Sequence, residues 1–149
     1  MSDKEYMRIA YNEAKKASER GEVPVGAVIV KDGQILSVAK NNREETGDAT
    51  GHAEILAIRE ACDALGGWHL SDCTLYVTLE PCPMCMGAII NSRIKRVVFA
   101  TKDAKAGACG SVIDLSAYPL NHKPVVDDGF MKEECAALLN EFFKAKRYK

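Results

Sequence analysis

The stretch TLYVTLEPCPMC, residues 74–85, constrains the fold more than any other part of the chain. An apolar run with strand character is cut by Pro81 and followed at once by two thiols three positions apart. Pro83 suits the first turn of a helix, where its missing N–H costs nothing, and CMGAIINS supplies the rest of that helix. Cysteines at i and i+3 in a first helical turn lie on one face, so Cys82 and Cys85 can share one metal ion. The free N–H groups and positive dipole end of that turn favour thiolate over thiol, which is the form a metal binds. Redox pairs, structural zinc half-sites and catalytic zinc sites all begin this way, so the remainder of the chain must discriminate.

Around this turn the pattern alternates. DKEYMRIAYNEAKKASER places Met7, Ala10, Tyr11, Ala14 and Ala17 at helical spacing and stops at Gly21. VGAVIV and QILSVAK follow as two strands joined by Asp32-Gly33, a hairpin signal. NNREETGDATG reads as a polar loop, delivering the chain to HAEILAIREACDAL, a second helix that begins near His52. After the 74–80 strand and the cysteine helix come the strand RVVFAT, the loop KDAKAGACGS, a short helical turn in VIDLSAY, a short strand PVVD and a final helix, MKEECAALLNEFFKAKR. Strands alternating with helices predict an α/β sandwich with a partly parallel sheet. The length of 149 residues fits one domain spanning 1–149.

MSDKEYMRIA carries charges where the apolar region of a signal peptide would be, and no apolar run approaches the ~20 residues of a membrane span. The expectation is a cytoplasmic protein that does not engage a membrane. A reducing compartment argues against a disulfide framework among the six cysteines, and only Cys82 and Cys85 cluster. Cys62, Cys73, Cys109 and Cys135 read as core or surface thiols. Net charge is −1, so any nucleic-acid contact must be local, and KAKRYK at 144–149 is the candidate. Cations there also complement the dipole at the end of a helix.

A structural zinc would add a second Cys or His pair to close a tetrahedron, and the sequence has none. It offers instead a single His52 at a helix start, with Glu54 two residues on. His52, Cys82 and Cys85 leave a fourth position for water, the stoichiometry of a catalytic zinc. Glu54 supplies the carboxylate that moves the water's proton. Residues two apart in a regular helix point roughly 200° apart, so His52 must sit at the cap with non-helical dihedrals while Glu54 lies in the first turn.

H-x-E, some thirty residues, then P-C-x-x-C resembles the signature of the zinc nucleobase deaminases. GEVPVGAVIV, HAEILAIRE, TLYVTLEPCPMC, GAIINSRIKRVVFATKDAKAGACGS, NHKP and ECAALLNEFFKAKR extend that resemblance over nearly the whole chain to the bacterial tRNA-specific adenosine deaminases. The resemblance implies a three-layer α/β/α cytidine deaminase-like fold with a mixed five-stranded sheet, and one Zn2+ per subunit. It implies deamination of the wobble adenosine of an arginine tRNA to inosine, by a homodimer that grips the tRNA anticodon arm. Carried over by position, His52, Cys82 and Cys85 match the zinc ligands and Glu54 the proton shuttle. Asn42 matches the asparagine that hydrogen-bonds the purine, with Ala53 beside it. Asp103 and Lys105 match a loop approaching the sugar and backbone of the target nucleotide, where Asp103 could accept from a ribose 2′-OH. Lys144, Lys146 and Arg147 match a terminal helix near the anticodon stem, with phosphate as the expected partner.

Two positions depart from the pattern. Pro83 stands where the tRNA enzymes carry a small aliphatic residue and favours a free-base substrate such as guanine, while Gly51 replaces a usual alanine. A guanine or other free-base deaminase is therefore the alternative enzyme. A zinc-stapled RNA-binding module is the non-enzymatic alternative and requires four protein ligands; a thioredoxin-like redox role leaves His52 and Glu54 unexplained.

Overall fold

The computed structural model describes residues 1–147; Tyr148, Lys149 and the side chain of Arg147, part of the basic tail, lie outside the described residues. Helix α1 (Asp3–Glu19) opens on a capping box between Ser2 and Glu5, and Gly21 adopts a left-handed φ of 78° just beyond its end. Strands β1 (Gly26–Lys31) and β2 (Gln34–Lys40) form the expected hairpin, with Asp32 and Gly33 at φ 49° and 75°. The loop after β2 holds an unexpected single turn of helix, α2 (Arg43–Thr46). Then come α3 (Ala53–Leu65), β3 (Cys73–Leu79), α4 (Pro83–Asn91), β4 (Arg96–Thr101), a short 3-10 turn at Leu115–Ala117, β5 (Val125–Asp128) and α5 (Lys132–Arg147). Pro124 stands just outside β5, which begins at Val125, whose N–H reaches the Lys95 carbonyl at 2.9 Å; a proline has no N–H to offer there.

The five strands run in the order β2-β1-β3-β4-β5, antiparallel from β2 to β3 and parallel from β3 to β5. Side chains of successive strand residues leave on opposite faces, and here both faces are covered. Ala27, Ile29, Leu75, Val77, Val97 and Phe99 pack with α3 and α4; Val28, Val30, Tyr76, Val98 and Ala100 pack with α1 and α5. This is the expected three-layer α/β/α arrangement on a mixed sheet, and it explains why the strands read as continuous apolar runs. Gly26 lets α1 lie directly on β1, since a Cβ there would strike the Ala10 carbonyl and come within 2.8 Å of the Ala14 nitrogen. Among the described residues no helix is long and apolar enough to cross a membrane.

Candidate active site

Both helices on one face start at the same place. His52 is the N-cap of α3, with extended dihedrals of −89° and 145°, and Glu54 lies in the first turn. The cap solves the orientation problem posed by two residues only two apart. Cys82 is likewise the N-cap of α4 (φ −75°, ψ 172°), Pro83 occupies the first helical position, and Cys85 follows in the same turn. Cys82 Sγ and Cys85 Sγ lie 3.6 and 3.5 Å from His52 Nδ1, and the three donor atoms fall within 4.8 Å of one another. Among the described residues this is the group able to hold a metal ion, and it stops at three ligands.

The electrostatics suit a cation. A hydrogen bond from Cys85, with a second from His52, outweighs burial and holds the Cys82 thiol down at about 4. Cys85 is pushed up by its bond to Cys82 and by burial, so the pair releases one proton readily and shares the other. The Cys82 bond holds His52 above its ordinary value. The remaining cysteines behave differently: burial raises Cys62 and Cys73, and pushes Cys109 and Cys135 up to about 12, as expected for inert packing thiols.

Beside the three ligands opens a cleft of about 140 Å3, to which Asn41, Arg43, Glu54, Leu79, Asp103 and Ala106 contribute. Glu54 is 4% exposed, and burial pushes its carboxyl up to about 7 against the opposing bond from its own backbone. A carboxyl near neutrality can take a proton and return it.

The asparagine at the cleft is Asn41, not Asn42. Asn41 continues the inward face of β2 set by buried Ala39, and its Oδ1 accepts from the Ala53 N–H at 2.7 Å, leaving the Nδ2 hydrogens as donors. Ala53 itself is buried in the core on that face, and its N–H is already engaged. Asn42, one residue later at the N-cap of α2, lines a different hollow, with Lys40, Leu56 and Arg59. Its Oδ1 is buried without a hydrogen-bond partner, under Gly51, where a Cβ would come 2.5 Å from it. Gly51, where a usual alanine would stand, therefore makes room for Asn42. Both asparagines lie beyond the end of β2, so the lining of the cleft is what separates them.

Asp103 lies at the cleft rim, but its Oδ1 accepts the N–H groups of Lys105 and Ala106 at 3.0 and 3.2 Å, a local turn. Val23, Leu79 and Asp103 also border an adjoining groove of about 870 Å3, whose edge carries Lys102, Lys105, Lys144 and Lys146. Phe143 is half exposed in that groove, and Lys146 Nζ stands 5.2 Å from the Phe142 ring centroid.

Two buried carboxylates escaped the sequence reading. Glu80 accepts from the backbone N–H groups of Asp103, Cys109 and Ser111 at 3.0, 2.9 and 3.2 Å, and from the Ser111 hydroxyl. Burial raises its carboxyl, yet those bonds together hold it below its ordinary value. Glu22 accepts from Glu44 and Glu45 N–H at 3.0 and 2.7 Å. Each is 2% exposed, a burial that a carboxylate tolerates only when hydrogen-bonded.

The MafB19-like deaminase family matches residues 1–147. The chain is 49% identical over 148 residues to the tRNA-specific adenosine deaminase of Bacillus subtilis, covering 99% of this chain and 92% of that one. A structure solved in studies of A-to-I editing by tRNA:A34 deaminases at the wobble position of transfer RNA superposes with a TM-score of 0.89 at 44% identity, over 91% of this chain and 99% of the other. A guanine deaminase from Bacillus subtilis gives a TM-score of 0.66 at 32% identity, over 100% and 96%. With its three-ligand group and buried Glu54 in one cleft, the chain belongs to the tRNA-specific adenosine deaminases, within the MafB19-like deaminase family.

Proposed function

We propose that this chain is a zinc-dependent hydrolase that converts adenosine to inosine at the wobble position of tRNA, arginine tRNA first among candidates, and releases ammonia. The observation that carries the reading is the convergence of three metal ligands and one buried carboxylate on a small cleft, in a chain 49% identical along 99% of its length to a tRNA-specific adenosine deaminase. Zinc fits the donors. Tetrahedral bonds of about 2.3 Å to sulfur and 2.0–2.1 Å to nitrogen separate those atoms by about 3.6 Å; the separations here are 3.5 and 3.6 Å. His52 Nδ1, Cys82 Sγ and Cys85 Sγ would hold the ion, which when bound supplies a Lewis acid that activates water.

The protein groups do the rest. Glu54 Oε takes one proton from the attacking water and delivers it to the purine ring nitrogen, then takes the second, from the new C6 hydroxyl, and delivers it to the departing amine as the C6 carbonyl forms. Asn41 replaces Asn42 as the residue that donates from Nδ2 to a purine acceptor, because it is the one lining the cleft. Unstacking is cheapest in a single-stranded loop, so an anticodon loop can yield its base to so small a cleft. Lys105, Lys144 and Lys146 serve phosphates along the adjoining groove, phosphate contact is assigned to Arg147 as well, and the free oxygen of Asp103 serves a ribose hydroxyl. We further propose a single deaminase domain, a cytoplasmic location, and a homodimer, in support of which the segment 112–120 exposes Val112, Ile113, Tyr118 and Leu120.

The guanine reading had Pro83 in its favour. Pro83 is accounted for by its place at the start of α4 and needs no substrate to explain it. The test offers zinc-loaded protein an arginine tRNA with adenosine at the wobble position and, in parallel, free guanine. Inosine at that one position supports the proposal; ammonia from guanine with intact tRNA overturns the substrate and keeps the site.

A further inference from the structure

The two walls of the cleft are supported differently. His52, Glu54 and Cys82 stand on helix N-termini packed into the core on one face of the sheet, whereas Asn41 and Arg43 stand on the segment between β2 and α3. That segment is held at α2, a single turn with no buried residue of its own. The bonds of the Asn41 N–H to the Val25 carbonyl at 3.1 Å and of the Ala53 N–H to Asn41 Oδ1 at 2.7 Å hold its start, and the buried group that holds the turn itself is Glu22. The Glu22 N–H is tied to the Ala17 carbonyl at 3.0 Å, at the end of α1, and the carboxylate reaches across to the Glu44 and Glu45 N–H groups. A chain of bonds thus runs from α1 through Glu22 to the turn that carries Arg43 and follows Asn41. Arg43 is the one cation lining the reaction cleft among the described residues, and its nearest ion-pair partner is the exposed Glu44 at 4.0 Å.

We propose that Glu22 is a positioning residue for the deamination: its buried carboxylate anchors α2 and thereby fixes Asn41 and Arg43 against the purine and its adjoining phosphate. A carboxylate suits this place because both its oxygens accept, one from each of two adjacent N–H groups. An amide would turn one N–H donor against another. The positional demand is tight, since a displacement on the order of 1 Å of a substrate-orienting group can cost about a hundredfold in rate. The inference rests on the purine-deaminase reading; the Asn41 contact holds for either purine, whereas the Arg43 contact to phosphate belongs to the tRNA substrate.

The experiment is a cycle of Glu22→Gln against the combined Asn41→Ala/Arg43→Ala variant, read as single-turnover kcat/KM on whichever of the two substrates above the wild type deaminates, with metal content and amide exchange measured on each protein. Glu22→Gln should retain one zinc per chain, speed exchange at the Glu44 and Glu45 amides while leaving α3 and α4 protected, and lower kcat/KM by about tenfold or more, the equivalent of one lost buried bond. In the Asn41→Ala/Arg43→Ala background the same change should cost less than about twofold, because Glu22 acts through those residues. Fully additive losses, lost zinc, or unchanged Glu44 and Glu45 exchange would overturn the proposal. Glu22→Asp keeps the charge but shortens the reach, and must rank between wild type and Glu22→Gln in both rate and exchange; it carries the test if Glu22→Gln does not fold. Activity on guanine in place of tRNA would refute the substrate reading while leaving both the cycle and the exchange result interpretable.

Discussion

The wall of the cleft that carries the metal-capable His52, Cys82 and Cys85 and the wall that faces it are built on opposite plans. On one side, His52, Glu54, Cys82 and Cys85 occupy the first turns of α3 and α4, whose buried faces pack on Ala27, Ile29, Leu75 and Val77. On the other, Asn41, Arg43, Asp103 and Ala106 lie on connecting segments held by Glu22 and Glu80 through backbone N–H groups. The proposed zinc ligands, whose geometry must hold within tenths of an ångström, are placed on packed helices, while the groups proposed to meet the tRNA are placed on loops tethered at a few points. The difference teaches where substitutions should act on chemistry, where on geometry and where only on affinity.

The largest effect belongs to the packed wall. Glu54→Ala should keep zinc and fold yet lose turnover by about 10² to 10⁴, the range for general acid–base catalysis. Metal analysis beside single-turnover inosine formation checks it, and an active Glu54→Ala protein would remove the proton-shuttle role. This wall was legible in the sequence because its requirements are local: residue types with metal chemistry, spaced three apart or two apart, at positions where prolines and cap geometry announce a helix start. The α/β/α layering was legible for the same reason, since the strand and helix periods repeat along the chain. Of the opposing wall only Asp103 was named, and that through the resemblance. Glu22 and Glu80 look like surface acids until tertiary structure buries them, and the four-residue α2 is too short to leave a period.

The tethers come next. Glu80→Gln turns an amide donor toward the Asp103 N–H on one side or the Cys109 and Ser111 N–H groups on the other, and each unsatisfied buried group costs about 1–3 kcal/mol. The melting temperature should drop and the 103–111 segment should exchange faster, with the zinc retained. Gly107→Ala should act similarly, because a Cβ there would collide with the Glu80 carboxylate. The folded Glu80 carboxyl sits below its ordinary value of 4.5, so its stabilising contribution is complete above about pH 5 and declines as pH falls through the folded pKa. Acid unfolding of wild type followed against Glu80→Gln should therefore show a gap that narrows below about pH 4; a constant gap would mean that Glu80 supports the loop by shape and not by charge.

A smaller effect separates the two asparagines. Asn41→Ala should lower kcat/KM about tenfold, the worth of one hydrogen bond within the cleft. Asn42→Ala removes an acceptor that already lacks a partner and should stay within about twofold of wild type. The reverse ranking would return the purine contact to Asn42 and make the cleft lining a poor guide to recognition.

The smallest effects lie farthest from the metal, along the basic groove. Lys144 and Lys146 border it from α5, and neither has a carboxylate partner among the ion pairs of the described residues. If they meet phosphate, each alanine substitution should weaken tRNA binding a few-fold, equally for all sequences, and flatten the dependence of log affinity on log salt by about one unit. Single-turnover rates at saturating tRNA should not change, because the phosphates are held alike in ground and transition states. A changed saturated rate with an unchanged salt slope would place these lysines in orientation of the anticodon loop. It would also erase the contrast drawn between the groove and the cleft, since a remote cation would then be helping to set the geometry of the reacting base.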